Sequence, residues 1–138
     1  MTALAAMIER LEKADKPDKK LWTAAYEAIH GKQTISLSWG RFLVLIDAAA
    51  WLDAAMMLVP STCKGYWLDY YCLGQDEWEA RALLSINEES QEVGNSDTLP
   101  LALCIAALKA RLADTTAAAS PVRRSAGPAQ PPRANPRG

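Results

Sequence analysis

The stretch from Leu99 to Ala113 is apolar nearly all round, with Leu101, Leu103, Ile105, Leu108 and Leu112 spread over every side of a helix. A helix of that kind has to be well buried, so the rest of the chain must supply its cover. Ser96, Asp97 and Thr98 offer N-caps for it, and Pro100 suits its first turn. Lys109 and Arg111 near its expected end complement the helix dipole.

The cover must come from upstream. Beyond Asp114 the chain is mostly Thr, Ala, Ser, Pro, Gly and Arg, with almost no large apolar side chains to offset the entropy of ordering. The expected organisation is a folded domain over 1–114 and a disordered Pro/Ala/Arg-rich tail over 115–138. Charge divides at the same place. Residues 1–114 hold 11 Lys or Arg and 16 Asp or Glu, a net −5, whereas the tail carries four arginines and no acid, a net +4. An acidic body is a poor surface for a phosphate backbone, so direct nucleic-acid binding is not expected of it.

Helical spacing recurs in three upstream segments. Leu4, Met7, Ile8 and Leu11 share one face of a helix expected over Thr2–Ala14, which Asp15-Lys16-Pro17-Asp18 interrupts. Asp18 caps a second helix, Lys19–His30, and Gly31 stands where a left-handed stop is needed. Phe42, Leu45, Ile46, Ala49, Leu52, Met56 and Val59 keep helical spacing until Pro60 and predict one long core helix. Asp47 and Asp53 interrupt that apolar run, which excludes it as a membrane span. Between the second and third helices, Ile35, Leu37 and Trp39 alternate weakly, which predicts a short strand or extended segment over Gln33–Gly40.

The middle of the chain has strand character. Gly65–Cys72 is dense in aromatic residues, Leu73–Glu77 reads as a turn, and Trp78–Ile86 alternates. Trp78, Ala80, Ala82, Leu84 and Ile86 fall on one face and Glu79, Arg81 and Ser85 on the other, which suggests a hairpin, although Glu, Ala, Arg and Leu also favour helix. Asn87–Asp97 reads as an acidic loop.

No chemistry-bearing motif emerges. Cys63, Cys72 and Cys104 match no zinc or redox spacing, and no signal peptide is visible, so free thiols in a reducing cytoplasm are expected. His30 is the only histidine and sits in the last turn of its helix, a capping or surface position. No phosphate loop, nucleophile elbow or metal-ligand spacing occurs, so no enzyme activity, cofactor or metal is expected. The candidate partner-binding surface is the aromatic and acidic middle: Tyr66, Trp67, Tyr70, Tyr71 and Trp78 with Asp76, Glu77, Glu79, Glu88 and Glu89. The competing and weightier expectation for these aromatics is core packing against helices, because a small domain needs large side chains inside. A sheet edge or aromatic face that pairs with a second copy is open as well.

Three segments together resemble a known family: Leu4–Ala14, Ile46-Asp47-Ala48-Ala49 closing on Leu58-Val59-Pro60, and Thr98–Ala110 with its threonine-leucine-proline start. The chain is similar to small bacteriophage and prophage proteins with the phage ABA sandwich domain, over roughly residues 2–113. The resemblance implies an α+β fold, a small layered α/β/α sandwich with a short antiparallel sheet between helices. It implies no reaction, cofactor or catalytic residue. The expected function is that of a non-enzymatic phage or prophage accessory protein acting by protein–protein contact. The alternative is an acidic inhibitor of a host nucleic-acid-binding defence system, an anti-defence protein, since Asp69–Asp97 holds eight acids and one base.

Overall fold

The computed structural model describes residues 2–32, 36–87 and 90–118. The chain is α+β, with helices α1 (Ala3–Glu12), α2 (Lys19–His30), α3 (Leu37–Asp47), α4 (Trp51–Met56) and α5 (Leu99–Ala118) and strands β1 (Gly65–Gly74), β2 (Glu77–Ser85) and β3 (Gln91–Ser96). The strands form one antiparallel sheet in the order β1-β2-β3.

The apolar helix sets the layer order. Leu101 to Leu108 and Ala110 are all buried in α5. One side of α5 lies on the sheet, chiefly on β3 and β2, and its other sides meet α1, α4 and α2. The layers therefore run sheet, α5, outer helices, so that a helix occupies the middle. Gly94 is the closest approach of β3 to α5: a Cβ there would lie 2.0 Å from the Ala102 carbonyl oxygen and 2.7 Å from the Ala106 nitrogen.

Side-chain caps start α1, α2 and α3. Thr2 Oγ1 accepts from Ala5 N at 3.1 Å, Asp18 Oδ1 from Leu21 N at 2.7 Å and Ser36 Oγ from Trp39 N at 3.0 Å. At the other end of α2, Gly31 takes φ 79°. Trp22 is completely buried, donates from Nε1 to the Trp51 carbonyl at 3.1 Å and meets the Trp51 ring edge-on. The Tyr26 ring meets those of Trp39 and Phe42 at a tilt, with centroids 5.0 and 4.7 Å away, and joins α2 to α3.

Four local expectations are corrected. Leu37–Gly40 is the first turn of α3 rather than a strand, because Ser36 caps a helix there; Gln33–Ile35 lie outside the described residues. The long helix expected over Phe42–Val59 is two helices. A Schellman motif ends α3: Ala49 N donates to Ile46 O at 3.1 Å and Ala50 N to Leu45 O at 2.8 Å, with Ala49 at φ 58°. Helical spacing runs through this break because both helices face the same core, with Phe42 and Ile46 before it and Ala54, Ala55 and Leu58 after it. The supposed acidic loop contains strand β3. Finally, α5 continues past Ala113 to Ala118, so Lys109 and Arg111 are not in its last turn. Residues 119–138 of the expected tail lie outside the described residues.

Lys109 and Arg111 tie α5 to its neighbours instead. Lys109 Nζ donates to Val93 O at 3.1 Å and pairs with Glu12 at 3.7 Å. Arg111 donates to Leu58 O at 2.9 Å and Val59 O at 3.4 Å, satisfying carbonyls left over at the end of α4.

Ala49 supplies a test of the helix break. A non-glycine residue in the left-handed region costs roughly 1 kcal/mol, which exceeds the entropic penalty of glycine in the unfolded chain. Ala49→Gly is expected to stabilise the domain by about 0.5 to 1 kcal/mol in urea denaturation; a loss of stability would contradict the left-handed assignment.

Candidate functional site

Strand alternation divides the candidate residues between the two sheet faces. The register sets Tyr66 opposite Leu84, Leu68 opposite Ala82 and Tyr70 opposite Ala80, which places these on the face toward α5. Trp67, Asp69 and Tyr71 of β1, Glu79, Arg81 and Leu83 of β2, and Val93 and Asn95 of β3 form the other face. No residue of that face is buried. It is the open face of the sheet.

The open face is arranged in rows across the strands. Trp67, Leu83 and Val93 stand side by side as an apolar row. Asp69, Arg81 and Asn95 form the next. Arg81 grips Asp69 with two bonds, Nε to Oδ1 at 3.2 Å and Nη2 to Oδ2 at 2.8 Å. Trp67 Nε1 donates to the same carboxylate at 2.9 Å. The Arg81 guanidinium also lies 5.2 Å from the centre of the Tyr71 ring, within cation–π range. The Tyr71 hydroxyl donates to Glu79 and lies 3.2 Å from Asn95 Oδ1.

These partners shift the titrations. The hydrogen bonds from Arg81 and Trp67 hold the Asp69 carboxyl below its ordinary range. The hydrogen bond to Glu79, followed by burial, pushes the Tyr71 hydroxyl up. Asp69 and Glu79 thus spend their acceptor capacity on fixed donors. The assembly is suited to holding Trp67 and Tyr71 in one orientation, and exposed pairs of this kind contribute little to folding stability.

The structure brings Trp67, Tyr71 and Glu79 together and separates the remaining candidates from them. Tyr66, Tyr70 and Trp78 lie on the α5 side but toward β1 and the hairpin end, where they stay exposed. Core packing of the aromatic cluster, the weightier expectation from sequence, is therefore overturned: Tyr66, Trp67, Tyr70 and Trp78 are all more than half exposed. The reason is twofold: α5 covers β3 and β2 and only grazes β1, which leaves its side of β1 bare, and Trp67 stands on the opposite face. Asp76 occupies the β1–β2 turn at φ 65°, and Glu77 opens β2 opposite Gly74. Glu88 and Glu89 lie outside the described residues.

The described acids of Asp69–Asp97 do not make one row. Asp69 and Glu79 are on the open face, Glu92 stands opposite Leu84 on the other, and Asp76 is in a turn. Asp69, Arg81, Leu83, Val93 and Asn95 were missed as members of the surface. Opposite charges on two alternating strands signal the Asp69–Arg81 pair, whereas Val93 and Asn95 become visible only once β3 is recognised.

Elsewhere the groups that bear chemistry are engaged or isolated. His30 is exposed at the end of α2 against the Tyr26 ring, and burial, then Arg111, lowers its pKa. Among the described residues no three of His, Cys, Asp and Glu gather into a metal-binding group, and no helix is long and apolar enough to cross a membrane.

The thiols differ by position. Cys104 is buried in α5 and burial pushes its pKa far up, Cys63 is half-buried, and Cys72 is exposed on β1. A thiol-reactive dye is expected to label Cys72 first and Cys104 only as fast as the domain unfolds, read by peptide mass mapping. Labelling of Cys104 at the rate of Cys72 would contradict the central placement of α5.

Compared with family models, curated proteins and solved structures, the chain matches none.

Proposed function

We propose that this chain is a non-enzymatic accessory protein of a phage or prophage that acts by binding another protein through the open face of its sheet. The phage origin rests on the resemblance of Leu4–Ala14, Ile46–Pro60 and Thr98–Ala110 to phage ABA sandwich proteins. The binding role rests on one observation: Trp67 is 62% exposed on the face of the sheet away from α5 while its indole is fixed by Asp69, which Arg81 fixes in turn. A large aromatic side chain held in place loses little conformational freedom on binding, and Trp, Tyr and Arg dominate the binding energy of protein interfaces.

Site-specific photocrosslinking tests the proposal. A photoreactive residue replacing Leu83 should capture a discrete protein in the producing cell, whereas the same residue replacing Leu37, exposed on α3, should not. With the captured protein purified, Trp67→Ala should raise Kd by about 30-fold or more, the scale of a hot-spot residue. An unchanged Kd for Trp67→Ala, or a reproducible turnover that depends on one acidic residue or cysteine, would overturn it.

A further inference from the structure

Strand β1 is a sheet edge: it pairs with β2 on one side and with no strand on the other among the described residues. The two edges of the sheet differ. The β3 edge is six residues long, and Lys109 occupies its Val93 carbonyl. The β1 edge is ten residues long and has neither lysine nor proline, the residues that keep edge strands from pairing. Its register irregularity falls between Cys72 and Gly74, so Gly65–Tyr71 is regular. On the α5 side the helix stops short of this edge and leaves Tyr66 56% and Tyr70 52% exposed.

We propose that β1 pairs antiparallel with β1 of a second copy of this chain, joining the two sheets into one. A two-fold axis normal to the sheet keeps the helix layers of both copies on the same side and sets only residues of the same face opposite each other. That condition restricts the register. Centring on Asp69 would put two Asp69 carboxylates directly opposite, which like charge opposes. Centring on Leu68 places Tyr66 of each copy opposite Tyr70 of the other, Leu68 against Leu68, and Trp67 opposite Asp69. No like charges meet, and two tyrosine pairs cross the axis on the side that α5 leaves uncovered.

The available area is adequate. A half-exposed Tyr or Trp keeps on the order of 100 Å² in water. Tyr66, Trp67 and Tyr70, with the edge backbone, therefore offer roughly 400 Å² per copy, the size of a weak, reversible interface. The charge arrangement selects a second copy as the occupant: Asp69, the only charged residue of Gly65–Gly74, is already paired with Arg81, so the edge is neutral to itself.

Sedimentation of the full chain alone tests the pairing and does not depend on any other protein. The chain is expected to sediment as a dimer that dissociates on dilution from about 100 to 1 μM. Tyr66→Lys and Tyr70→Lys should each raise the dimer Kd at least tenfold, with a far-UV spectrum and melting temperature unchanged at about 1 μM or below, where the chain is monomeric. Leu37→Lys, on α3, should leave Kd unaltered. A monomer over the whole range, or a dimer that both tyrosine variants leave intact, would overturn the proposal. Crosslinking from Leu83 reads the open face separately, so either reading can fail while the other stands.

Discussion

Gly94→Ala is expected to destabilise the domain by about 3 kcal/mol or more, a large fraction of the total stability of a small domain. The added Cβ would lie 2.0 Å from the Ala102 carbonyl oxygen, 2.7 Å from the Ala106 nitrogen and 3.1 Å from the Ala102 carbonyl carbon. All three are backbone atoms of α5, so no side-chain rotation relieves the clash. The helix cannot retreat, because α1 and α4 pack behind it. β3 cannot retreat without breaking its ladder with β2, where Gly94 stands opposite Ala82. Gly40→Ala is the matched control. Gly40 lies in α3 with nothing within 4 Å of an added Cβ, so the same substitution should stabilise the domain by about 0.5 to 1 kcal/mol. Urea midpoints that move in the same direction for both variants would contradict the close packing of β3 on α5.

Trp22→Ala should cost about 3 to 5 kcal/mol in the same measurement. Trp22 has no solvent exposure, and its removal empties the junction where α2 meets α4. It also removes the indole donor from the Trp51 carbonyl at the start of α4. Trp22→Phe separates the two effects. It keeps most of the apolar volume and loses the hydrogen bond, so its cost should fall well below that of alanine. Equal costs for the two variants would mean that the hydrogen bond, rather than the packing, holds this corner.

These positions also show what was legible in the sequence. α2 was readable to the residue, because Asp18 and Gly31 mark its two ends by their own chemistry. The hairpin was readable from its aromatic strand and its turn. α5 announced its burial through an apolar surface on every side. β3 announced nothing: Gln-Glu-Val-Gly-Asn-Ser has no apolar alternation, and what α5 requires there is the absence of a side chain at Gly94. The α3–α4 break was hidden for a related reason, since Ala49 in a left-handed conformation carries no mark that separates it from a helical alanine.

The candidate surface was legible in composition and not in arrangement. Period-two alternation sorts Trp67 and Tyr71 from Tyr66 and Tyr70, but it does not say which set a helix covers. That depends on where α5 crosses the sheet, a long-range outcome of packing at Gly94, Ala102 and Ala106. Because α5 crosses nearer β3 than β1, the expectation that the aromatics build the core failed. That offset creates the bare edge at Tyr66 and Tyr70, whereas Trp67 is open because it stands on the face of the sheet away from α5.

The open face is the central claim, and Trp67 and Trp22 test it within one sample. Hydroxyl-radical labelling of the dilute full chain, read by mass spectrometry, compares two side chains of equal intrinsic reactivity. Trp67 should oxidise at close to the rate it shows in the urea-unfolded chain, and Trp22 at least about tenfold more slowly, in line with 62% and 0% exposure. Protection of Trp67 to the level of Trp22 would show that part of the chain covers this face and would contradict the account.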